Sequence, residues 1–167
     1  MNSLTLGNKK WSVATFSVFS ETLTTEEIGQ ALGLWSTQTH VKGEPRGFRK
    51  RDASVSQSIV WPDCAWHLSS PLGYETKLED HIAWLLDVLA PKLNAINSLA
   101  PRCRLICISC GFGSEHGQGG FTLASNTLSR LAQLGIPLVV DLYPPGPIEL
   151  EDLEPELTTP ATESHDS

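Results

Sequence analysis

The segment "RCRLICISC", residues 102–110, is almost continuously apolar. A strand of that composition needs cover on both faces, which makes it a central strand of a sheet rather than an exposed ribbon. The rest of the chain must supply that cover. "WSVATFSVFS", 11–20, alternates and is rich in β-branched and aromatic residues, so it reads as a strand. "CAWHLSS", 64–70, and "IPLVVDLY", 136–143, read as two more. Between them lie helical patterns. In "TLTTEEIGQALGL", Thr24 is placed to cap the helix and Glu27 to complete a capping box. Ile28, Ala31 and Leu32 form its apolar stripe and Gly33 stops it. "TKLEDHIAWLLDVLAPKLNAINSLA", 76–100, is the longest periodic segment. Leu78, Ile82, Leu85, Leu86 and Leu89 mark its buried face, with Pro91 placed to kink or split it. "LASNTLSRLAQLG" gives a short helix with Ser125 as N-cap, a stripe of Leu128, Leu131 and Leu134, and Gly135 as C-cap.

Helices alternating with four strands predict an α/β two-layer sandwich. The expected form is a ferredoxin-like four-stranded sheet with helices packed on one face and the long helix between strands two and three. A small doubly wound sheet is the alternative. At 167 residues and 40% hydrophobic content, one domain with an ordinary core is expected, over 11–146, after a flexible N-terminus at 1–10. The net charge of −7 is uneven. Seven acids and no Lys or Arg follow Ile148, so twelve acids balance twelve bases in the remainder. Residues 147–167 are therefore expected as an acidic, disordered tail. No signal peptide or membrane span is visible, which predicts a cytoplasmic protein with reduced thiols.

Cys103, Cys107 and Cys110 have the C-x3-C-x2-C spacing of a cluster-binding loop. Along a strand, however, Cys103 and Cys107 share one face and Cys110 takes the other, about 23 Å from Cys103. Three such thiolates cannot converge on a metal, so no metal or cofactor is expected. The loop "GFGSEHGQGGF" then follows. It lacks the Gly-Lys-Ser/Thr of a phosphate loop and reads as a wide turn whose glycines supply positive φ. Glu115 and His116 in it could serve as acid and base. Lys42, Arg46, Arg49, Lys50 and Arg51 form a basic stretch around Phe48, suited to an acidic partner. No stacking set accompanies it on the strands, which disfavours nucleic acid. Ser109, His67 and Asp141 could be written as a triad, but no G-x-S-x-G elbow supports it.

"LTTEEIGQALGLWSTQTHVKGEPR", Trp66, "KLEDHIAWLLDVLAPKLNAI" and "GQGGFTLASNTLSRLAQLGIPLVVDLY" stand in a telling order. Gly33-Leu34, Thr37, Thr39, Lys42-Gly43, Trp66, His81, Gly119-Gly120-Phe121, Leu131, Gly135 and Asp141 carry it. The pattern resembles the small bacterial family catalogued as domain of unknown function 4279, over about 11–143. Ser36 departs from the proline expected before Thr37, and the insert "FRKRDASVSQSIVWPDC" is long. The resemblance brings no catalytic set. It implies a non-enzymatic module similar in style to the immunity proteins of bacterial toxin systems, working by protein–protein contact. The expected binding residues are Thr39, Lys42, Arg46 and Arg49 with Glu115, His116, Gly119 and Gly120. The alternative is a small-ligand protein or enzyme using the Glu115/His116 loop beside the Lys42/Arg46 loop.

Overall fold

The computed structural model describes residues 10–46, 60–114 and 119–143. The expected flexible N-terminus, apart from Lys10, and the expected acidic tail lie outside them. Five strands form one mixed sheet: β1 (Lys10–Ser20), β2 (Gln38–His40), β3 (Cys64–Ser69), β4 (Leu105–Ser114) and β5 (Leu138–Tyr143). Their order is β2-β3-β1-β4-β5. β1 is the spine, antiparallel to β3 on one side and to β4 on the other. β5 runs parallel to β4.

This is an α/β fold, but it is not the four-stranded ferredoxin-like arrangement. A ferredoxin-like sheet is wholly antiparallel, and here the last connection, through a helix, returns β5 parallel to its neighbour. The fifth strand is β2, only three residues long in a polar stretch. Three residues are too few to show a period. With β2 counted, the long helical segment falls between the third and fourth strands, not the second and third.

Alternation along the strands separates two faces. Ala14, Phe16 and Val18 of β1, Trp66 and Leu68 of β3, and Ile106, Ile108 and Cys110 of β4 point to one side and form the core. The helices pack on that side: α1 (Thr25–Leu32), α2 (Leu78–Leu89), α3 (Leu93–Leu99) and α4 (Ser125–Leu134). Leu78, Ile82, Leu85, Leu86 and Leu89 of α2 are all buried there. Pro91, lacking an N–H for the helical ladder, divides α2 from α3 through a 3-10 turn at Ala90–Lys92. α1 begins with the full capping box of Thr24 and Glu27 and ends on left-handed Gly33.

α4 differs from the sequence expectation in two ways. Its N-cap is Ala124, with Ser125 as the first helical residue. The Glu79 carboxylate of α2 caps it instead, accepting from the Ala124 N–H and the Thr127 hydroxyl at 2.8 Å each. Those bonds hold Glu79 below the usual carboxylate range. The helix therefore turns so that Thr127, Leu131 and Leu134 face inward, while Leu128 is half exposed.

The glycine-rich stretch is also not the expected turn at its start. Gly111 and Gly113 belong to β4, and neither has a positive φ. A Cβ on Gly113 would collide with the Trp11 indole, which lies across the strand at that point. These glycines make room for a ring rather than for a bend. All four cysteines are free thiols; Cys107 and Cys110 are buried on opposite faces of β4.

His81 is buried on α2, and neither ring nitrogen has a hydrogen-bond partner among the described residues. Burial lowers its pKa; the nearby Gly73 backbone and Asp80 oppose the shift without reversing it. The folded state therefore holds a neutral imidazole, and the unfolded chain binds the extra proton in acid. Stability is full above the unfolded value of about 6.5 and falls as pH drops from there toward the lower folded value. Urea midpoints at pH 7.5 and pH 5 should fall less in His81→Leu than in the native chain. An equal fall would refute this account. Gly113→Ala should cost about 1–3 kcal/mol of unfolding free energy by overpacking against Trp11, read from the same urea transitions.

Candidate functional site

The hairpin that joins β2 to β3 places the basic residues. Glu44 N–H donates to the Val41 carbonyl at 3.1 Å, and Gly43 adopts φ 87°, so the chain turns at Lys42-Gly43. Trp61 pairs back onto it: Gly43 N–H donates to the Trp61 carbonyl and Trp61 N–H to the Glu44 carbonyl, at 2.8 and 2.9 Å. The His40 ring stacks on Trp61 at 3.9 Å between centroids, and the Arg46 guanidinium lies 4.0 Å from the Trp61 centroid. Arg46 is thus built into the hairpin through its ring contact. Lys42 is exposed at the turn.

The glycine loop springs from the other end of the sheet. Ser114, its last strand residue, is opposite Lys10. His40 is opposite Ala65, and Ala65 opposite Phe19. Lys10 and Phe19 are nine positions apart along β1, or about 30 Å. The structure does not bring the bases of the two loops together. Gly119 lies against the Phe112 ring, and Gly120 lines a cavity with Lys10, Trp11 and Phe121. Arg49, Glu115 and His116 lie outside the described residues.

The sheet face opposite the helices is a field of paired polar groups. Ser17 Oγ and His67 Nδ1 are 3.0 Å apart, Thr15 and Ser69 hydroxyls 2.9 Å, and the Cys107 thiol and Ser109 hydroxyl 3.5 Å. Burial and the neighbouring His40 lower the His67 pKa, so its ring is neutral at pH 7. Ser109 and His67 stand on β4 and β3 with β1 between them, about 10 Å apart at strand spacing. That is beyond hydrogen-bond reach, so the Ser109/His67/Asp141 triad does not assemble. Ser17, which does touch His67, is almost wholly buried. Among the described residues no set of three or more His, Cys, Asp or Glu could hold a metal ion.

A groove of about 600 Å³ lies between α1 and the β2–β3 edge of the sheet. Gly29 of α1, Gly33, Leu34 and Trp35 after it, Thr39 of β2 and Trp66 of β3 line it. That volume falls in the range of ligand pockets. Thr39, expected as a binding residue, is there; Lys42 follows it three residues along the hairpin. Trp35 is 93% exposed at the wall. A solvent-exposed indole of that kind is uncommon for a residue that normally buries its ring. Sequence alone singled out the hairpin charges and missed the groove. The available signal was the cluster Gly29, Gly33-Leu34-Trp35, Thr39 and Trp66, whose members meet only after β2 docks on β3.

The chain matches the family described as domain of unknown function (DUF4279) over residues 9–145, and it belongs to that family. Neither a curated protein nor a solved structure gives a significant match. No helix among the described residues is long and apolar enough to cross a membrane.

Proposed function

We propose that this chain is a non-enzymatic binding module that works by protein–protein contact, with the α1–β2 groove as its principal surface. The observation that carries this reading is Trp35, 93% exposed beside a groove lined by the buried Trp66 ring. Tryptophans are the commonest anchors of protein interfaces because one ring contributes a large contact area at little conformational cost. Lys42 and Arg46 on the adjoining hairpin supply positive charge that steers an acidic partner toward the groove. The hydroxyls, thiols and imidazoles of the opposite face are too buried, or too far apart, to act as a nucleophile with its base.

The test is affinity capture of the tagged chain from cell lysate, with Trp35→Ala in parallel, followed by calorimetric titration of the recovered protein. Trp35→Ala should change unfolding free energy by less than about 0.5 kcal/mol, since the ring is exposed. It should weaken the partner by about 30-fold, the effect of losing a 2 kcal/mol anchor. A partner that binds the variant as tightly as the native chain would remove the groove from the interface.

A further inference from the structure

We infer that Gly29 and Trp66 form a hydrogen-bonding subsite in the groove that receives a main-chain carbonyl from an extended, uncharged segment of the partner. This rests on the groove being the binding surface proposed above.

Trp66 is 2% exposed and lines the groove floor. Its ring packs edge-on to Phe16 at 6.2 Å between centroids. An indole nitrogen is a donor only, and a buried one ordinarily finds an acceptor. The Trp66 N–H makes no side-chain hydrogen bond among the described residues, yet its nitrogen is not one of the fully buried atoms left without a partner, so it is open to the groove. What stands over it is Gly29. A Cβ at that position would lie 3.3 Å from Trp66 Nε1. An alanine methyl would therefore sit on the nitrogen and close it off.

Gly29 has no conformational reason to be glycine. Its φ is not positive, and it lies inside α1, where glycine is less stable than alanine by about 0.5–1 kcal/mol. The space above the indole N–H is what the missing side chain provides. A donor left uncovered at the bottom of a groove calls for an acceptor from outside.

The surroundings select the acceptor. Glu26 is the charged residue of the lining. Lys92 answers it from the Gly33 side, its Nζ 3.4 Å from where a Gly33 Cβ would be. Opposite charges on two flanks give neither a carboxylate nor an ammonium a clear advantage, and a neutral amide carbonyl fits between them. Leu34 and Trp35 offer apolar wall for the adjoining side chain. β2 is the outermost strand, and Thr39, opposite Trp66, brings that edge to the groove. An extended segment beside an edge strand is a recurrent mode of peptide capture.

The experiment uses the full chain labelled with 15N, whose five indole N–H resonances are assigned by single Trp→Phe variants. The probe is N-acetyl-leucine methylamide, with acetate and guanidinium as charged controls. The Trp66 indole proton should move downfield saturably with the amide and not with either ion. Gly29→Ala should keep the native fold, read from an unchanged far-UV circular dichroism spectrum, while weakening the amide at least ten-fold. A Trp66 resonance unmoved at tens of millimolar amide, an equal response to acetate, or undiminished binding by Gly29→Ala would overturn the assignment. If Trp35→Ala loses the captured partner while Gly29→Ala retains it, the groove stands as the interface and this subsite falls.

Discussion

Everything in this molecule hangs on the two-sidedness of β1. It is paired with β4 along nearly its full length on one side and with β3 along about half of it on the other. Its even positions, Ala14, Phe16 and Val18, sit at the centre of the core. Its odd positions carry Thr15 and Ser17 to the opposite face, where each finds a partner on β3. Because side chains alternate strictly, a one-residue slip would exchange the two sets and put hydroxyls under α2. That penalty holds the registers of β3 and β4, and so the positions of Trp66 and Gly113.

The helical layer is tied to this frame by a few contacts of different kinds. α2 covers β1 with an aliphatic face. α4 is fixed to α2 by the Glu79 carboxylate, which satisfies a backbone donor and Thr127 together. An acid at a helix N-terminus is favourable for the dipole as well as for the hydrogen bonds. α1 instead carries its own capping box and uses Gly33 to turn toward β2. The groove exists because α1 is short and leaves the outer part of β3 partly uncovered. The same Trp66 that packs on Phe16 thereby lines the groove.

Local features were legible where their cause is local. The Thr24/Glu27 capping box, the left-handed glycines 33 and 135, the break at Pro91 and the buried stripe of α2 all follow from residues within a turn or two of one another. The alternation that sends Cys107 and Cys110 to opposite faces is of the same kind. What was not legible came from contacts distant in sequence. Ser125 was as good a cap as any on local grounds, and Glu79, 45 residues away from Ala124, displaced it. Gly111 and Gly113 looked like turn residues because nothing nearby shows the Trp11 ring that crosses them.

The sequence by itself determined four of the five strands, the helical segments, the capping box of α1 and the glycine stops of α1 and α4, and that Cys107 and Cys110 point to opposite faces of β4. Those outcomes depend on backbone preference and side-chain periodicity, which are written within each segment. Only the tertiary structure decided the five-strand order, the parallel return of β5 and the separation of the two loops by the length of β1. It also decided that Gly29, Trp35, Thr39 and Trp66 share one groove. Strand order and groove alike arise from pairings between distant segments, whose energies depend on what each segment meets rather than on what it is.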